Sequence, residues 1–166
     1  VRQALVLGAC AWAVVRLRTP GAYGLLDSVD LPIHETGHLV FAPFGELLGF
    51  LGGTLLQLLF PLAFVVYFLR RGDRFAGWFV LGWVAQNLWN VAHYVADARA
   101  QELPLVGGGE HDWAYLLGRW ELLAYDLRIA SALRALGVVL FALAMLQAWL
   151  HSHGCVAETA EGAPAA

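Results

Sequence analysis

Two long apolar runs joined by a short charged turn set the first limit on what this chain can fold into. Phe44 to Leu69 is apolar apart from Glu46, Gly52-Gly53 and Gln57; the run stops at Arg70-Arg71-Gly72-Asp73-Arg74, and another begins at Phe75 and continues to Asp97. A helix needs about 20 apolar residues to cross the roughly 30 Å of hydrocarbon in a bilayer, and a tight turn makes its flanking helices antiparallel neighbours. Composition agrees. Of 166 residues 60% are hydrophobic and 14% charged, where a soluble domain carries roughly 25% charged residues. One core of this size cannot hide so much Leu, Val, Phe and Trp, whereas a bundle facing acyl chains has no need to hide it. The expected fold is all-α: an integral membrane helical bundle of about four membrane helices plus a shorter helical element. Residues 1–150 form its single domain, and 151–166 form a disordered tail.

The remaining segments follow from local signals. Ala4 to Val15 reads as a first, poorly anchored helix closed by Arg16 and Arg18 and broken at Thr19-Pro20-Gly21. Leu7-Gly8-Ala9-Cys10 looks like a lipoprotein cleavage box, but hydrophobicity continues through Cys10, so a helix end or membrane anchor is expected. Asp30 is a candidate N-cap with Pro32 in the first turn of the next helix, which should bend or end near Pro43. Tandem Gly52-Gly53 suggests a re-entrant segment ahead of a span. Pro104 and Gly107-Gly108-Gly109 lie in a loop, and the glycines read as a flexible turn because no lysine or strand accompanies them. An amphipathic stretch, Asp112 to Asp126, leads to a last span from about Ile129 to Leu150. The arginine-rich turn at 70–74 reads as cytoplasmic. A net charge of −3 without a basic patch excludes nucleic acid as a partner. Cys10 and Cys155 are too few and too far apart in setting for a disulfide framework, and His151-Ser152-His153 reads as part of the tail.

Into this apolar chain is set His34-Glu35-Thr36-Gly37-His38. Histidines four apart on a helix project from one face, so both imidazoles reach one metal ion, and the glutamate between them is placed to take a proton from water. Zinc is the cofactor this arrangement suits. The competing reading is a buried His/Glu hydrogen-bond network that fastens helices. In the later span, Gln86, Asn90, His93 and Asp97 recur at helical spacing and form one stripe with Asn87 beside it. Ionisable groups cost roughly 2.5–3.5 kcal/mol at the bilayer centre, so that stripe should face the bundle interior, as site lining or as interhelical glue. A catalytic zinc needs a third protein ligand. Asp97 is the first choice, with His93, His111 and Asp112 as alternatives. Counted from the arginine turn at about 1.5 Å per residue, the histidine pair, the stripe's end and the 110–112 loop all tend towards the opposite side.

The His-Glu-x-x-His run, with its apolar sequel and a polar-striped helix later, resembles the site-2 protease family of intramembrane zinc metalloproteases. That resemblance implies a helical membrane core, zinc on two histidines and a later aspartate, and glutamate as general base. It is specific at residues 34–38 and loose elsewhere. The aspartate region reads Asn90, then His93 where the family has proline, then Asp97 one position early and without a following glycine. The expected activity is an intramembrane zinc hydrolase, first a peptidase acting on a transmembrane protein substrate. Glu35 would be its base, and Asn87 or Asn90 candidate donors to the developing oxyanion. A hydrolase of a membrane-embedded lipid amide or ester, and a non-enzymatic scaffold locked by buried polar groups, are the alternatives.

Overall fold

The computed structural model describes residues 1–19, 21–106 and 109–153. Pro20, two of the three loop glycines (107 and 108) and the tail from 154, with Cys155, lie outside them. Among the described residues the fold is all-helical: α1 (Arg2–Arg18), α2 (Leu25–Phe41), α3 (Glu46–Arg70), α4 (Arg74–Ala96), α5 (Asp112–Arg119) and α6 (Asp126–Leu150). Two segments, Glu46–Arg70 and Leu123–Leu150, are long and apolar enough to cross a membrane. α4 has the length but carries the polar stripe, which lowers its apolar character.

α4 is the centre of the bundle and α3 and α6 flank it, with α2 packed on α3. Gly82 meets Met145 and Phe141, Gly137 meets Trp89, and Arg99 donates to Asp126 (2.6 Å), which fixes α4 and α6 antiparallel. Arg2 lies 3.9 Å from Asp73 and Gln3 reaches His153, so the start of α1, the α3–α4 turn and the end of α6 share one end of the bundle. The other end gathers Asp27, His34, Asp97, Asp112 and Asp126. The apolar core includes Ala85, Trp89, Phe141 and Met145, but it takes in only part of the apolar surface. Leu59, Phe60, Phe64, Val139, Leu143 and Leu146 face outward, while Asp27, Asp30, Gln57, Gln86, Asn87 and Asp126 are buried.

Three local expectations are corrected. α2 starts at Leu25, not Asp30, because the Asp27 carboxylate accepts the Gly24 N–H (2.6 Å) and caps the first turn. Pro32 is therefore interior, and Asp30 is buried where Trp83 Nε1 donates to it (2.8 Å). α3 runs unbroken through Gly52-Gly53, with no re-entrant turn; the glycines serve a helix crossing instead. The amphipathic stretch is a helix only to Arg119, and α6 begins at Asp126. α2 does end at Phe41, ahead of Pro43.

Candidate metal centre

α2 and α3 cross backbone on backbone. A Cβ on Gly37 would collide with the Gly52 carbonyl, and one on Gly52 would come 2.6 Å from the Gly37 carbonyl oxygen. Glycine at both positions is what lets these helices meet so closely. The next residue, Gly53, lies against the two imidazoles. Its missing Cβ would stand 2.5 Å from His34 Nε2 and 2.6 Å from His38 Nε2. The crossing thus turns a helical motif into an open space bounded by two ring nitrogens.

The third member arrives from α5. Asp112 Oδ2 stands 3.0 Å from His34 Nε2 and 3.2 Å from His38 Nε2, and the three donor atoms lie within 4.8 Å of one another. Asp112 is held by its own backbone N–H, which donates to Tyr94 Oη (3.3 Å), and by α5, where Tyr115 stacks on Phe50 of α3 at 4.0 Å. Burial opposes the charge on Asp112, but His34 and His38 outweigh it and hold its carboxyl below the usual carboxylate range.

The hydrogen-bond network fixes which nitrogen of each ring bears the proton. His38 Nδ1 is 2.8 Å from the Gly49 carbonyl, which can only accept, so Nδ1 carries the hydrogen and Nε2 of the neutral ring a lone pair. His34 Nδ1 is 3.0 Å from Gln57 Oε1. That amide's orientation is set in turn. Asn90 Nδ2 donates to the Asp27 carboxylate (2.9 Å) and Asn87 Nδ2 to the Gln57 backbone carbonyl (2.7 Å), so both asparagine oxygens face Gln57 Nε2 (3.1 and 3.2 Å). Gln57 Oε1 is left to accept from His34. With both rings neutral, two lone pairs would point at one carboxylate oxygen. Such an arrangement repels itself unless a cation or extra protons fill the space.

The donor set fits zinc. Two imidazoles and a carboxylate are a recurrent catalytic ligand trio, and a tetrahedral ion with bonds of about 2.0–2.2 Å separates its donors by roughly 3.4 Å, a few tenths more than the two spacings here. Both histidines already have the oxygen partners that orient ligating rings. A cavity of about 490 Å³ adjoins the trio, and His34, Glu35 and Tyr94 line it. Among the described residues Glu35 has no hydrogen-bond or ion-pair partner, so its carboxylate is free to act on a molecule in that space.

The other candidates fall elsewhere. Asp97, the first choice for third ligand, is not beside the histidines. Its oxygens accept the Glu102 and Leu103 N–H groups (3.0 and 3.1 Å) and face His111 Nε2 (3.3 Å), so loop donors occupy its acceptor sites. His111 is the N-cap of α5, taking the Ala114 N–H on Nδ1 (3.2 Å), and it positions Asp112 without joining the trio. His93 lines the cavity. Asn87 is wholly engaged with Gln57, and Asn90 links Gln57 to Asp27, so the oxyanion role expected of them is not supported. Sequence reading missed Asp27, Gln57 and Tyr94. Gln57 had a signal, since an amide within the apolar run of α3 calls for partners; Asp27, on a helix rich in polar groups, and Tyr94 had none.

Compared with protein-family models, with curated proteins and with solved structures, the chain matches none.

Proposed function

We propose that this protein is an intramembrane zinc-dependent hydrolase with His34, His38 and Asp112 as ligands and Glu35 as general base. One observation carries the reading: the Nε2 atoms of His34 and His38 converge on Asp112 Oδ2, their Nδ1 atoms already being paired with Gln57 and the Gly49 carbonyl. A scaffold would use the same Gln57, Asn87 and Asn90 bonds to fasten helices, but it gives no task to Glu35, which lines the cavity without a partner among the described residues. The site-2 protease resemblance supports the reading at residues 34–38. A third ligand from the short helix after α4 departs from that family's pattern, so the reaction class rests here on the donor set.

When bound, zinc supplies Lewis acidity that polarises a carbonyl and acidifies water. The rest of the chemistry belongs to the chain. Glu35 accepts a proton from the attacking water and returns it to the leaving group as the acyl bond breaks. Tyr94 accepts the Asp112 N–H on its oxygen and keeps its own O–H proton, which it donates to the developing oxyanion. The largely apolar cavity limits competing water. A peptide bond is the first target suggested by the sequence, and an acyl amide or ester has the same chemistry.

The outward apolar faces of α3 and α6 and their span-length helices support a membrane location. With the arginine turn at 70–74 cytoplasmic, the site opens towards the opposite side. Elemental analysis of the full chain purified in mild detergent tests the reading. About one zinc per chain is expected in wild type and in Glu35→Gln, with turnover lost only in the latter; protein free of transition metal after zinc-supplemented expression overturns it.

A further inference from the structure

The cavity beside the histidines is walled by more than its catalytic end. The contacts Gly82–Met145, Trp89–Gly137 and Arg99–Asp126 set the antiparallel register of α4 and α6, and that register brings His93 level with Arg134. Both residues line the cavity. Among the described residues neither has an ion-pair or hydrogen-bond partner. Arg134 sits within Leu123–Leu150, one of the two segments apolar enough to cross a membrane, and an unpaired guanidinium there costs free energy unless something answers its charge. Arg16, the cavity's other arginine, is already bound to Asp27 at 2.8 Å.

The cavity meets a second space. Leu17 and Trp89 line both it and an almost wholly apolar groove between α1 and α6, walled by Cys10, Val14, Val138 and Phe141. A cavity of about 490 Å³ is on the scale of small-molecule sites. A transmembrane helix, some 10–12 Å across with its side chains, needs a far wider cleft.

We infer that the substrate is a single-chain amphiphile bearing an anionic group, which lies against Arg134 and His93 while its chain occupies the α1–α6 groove. This rests on the hydrolase reading and names its substrate class. The groove explains access, since a chain can slide in from the lipid side. Arg134 supplies the selectivity that the groove lacks, because lipid tails are as apolar as its walls and give little preference for one chain over another.

Chain-brominated stearic acid and the corresponding brominated alcohol, titrated into the full chain in mild detergent, test this through quenching of tryptophan fluorescence. The acid should quench at concentrations about tenfold lower than the alcohol, the scale of one charge-assisted hydrogen bond. Replacing both tryptophans that line the groove, Trp89→Phe with Trp149→Phe, should remove most of the saturable quenching. Arg134→Gln should bring acid and alcohol level, and Arg134→Lys should restore the preference and show that the fold is intact. Zinc content measured on the same samples separates failure of the metal site from failure of this inference. His34→Ala, which removes a proposed ligand, should leave the acid's preference in place and so exclude direct ligation by the carboxylate. Equal binding of acid and alcohol to wild type, a preference that survives Arg134→Gln, or displacement by an unacylated transmembrane peptide but not by unbrominated stearate, overturns it.

Discussion

Asn87 donates its side-chain N–H to the backbone carbonyl of Gln57 at 2.7 Å, and that carbonyl is the one that Pro61, four residues on, cannot serve. Proline inside α3 leaves an acceptor orphaned in an apolar setting, and an asparagine from α4 fills it. Removing the donor leaves the carbonyl buried and unpaired, so Asn87→Leu should cost about 1–3 kcal/mol in unfolding free energy. In a Pro61→Ala background the backbone N–H returns and the same substitution should cost less. A double-mutant cycle on unfolding midpoints checks this; strict additivity would remove the link between the proline and the asparagine.

Ligands and the residue that positions one of them should respond differently. Alanine at His34, His38 or Asp112 is expected to abolish stoichiometric zinc. Asp97→Asn should weaken it by about 10–100-fold, the usual cost of losing an outer partner, because Asp97 acts only through His111 and the loop. Chelator competition on each variant makes the comparison. Abolition by Asp97→Asn with retention in Asp112→Ala would restore Asp97 as the ligand.

Gly53→Ala places a methyl group 2.5–2.6 Å from both Nε2 atoms. It should lower zinc affinity by more than tenfold, about 1.4 kcal/mol or more, with helical content by circular dichroism unchanged. Normal zinc affinity in that variant would mean that the space beside the histidines is not where an ion sits.

Tyr94→Phe removes the hydroxyl, both the proton proposed for the oxyanion and the oxygen that accepts the Asp112 N–H. Turnover is expected to fall by about 10²–10³, the range for a lost oxyanion donor, with zinc stoichiometry and KM little changed. An unaltered kcat would assign the hydroxyl to holding Asp112 alone.

Much of this arrangement could be read in advance, and the part that could not has a physical reason. His34, Glu35 and His38 follow from helical spacing, and the inward turn of Gln86, Asn90, His93 and Asp97 follows from the cost of polar groups in an apolar span. Spacing within one helix is local. The choice between Asp97 and Asp112 was not local, because it depends on a loop folding back to occupy the Asp97 oxygens with two N–H groups and His111. Likewise Gly52-Gly53 was legible as a place of close approach, but whether the partner was an extended segment or α2 depended on Gly37.

The Gly37–Gly52 crossing has a consequence for how the molecule assembles. Because the two backbones touch, their spacing has no slack: His34 meets Gln57, and His38 the Gly49 carbonyl, only when the pair is fully seated. Seating α2 on α3 and orienting both imidazoles are then a single equilibrium, with Asp112 joining from α5, and an ion that binds the seated form draws the helices together by mass action. In a bilayer, where inserted helices gain little from hiding apolar surface against each other, that pull would make the metal a chaperone of its own binding site.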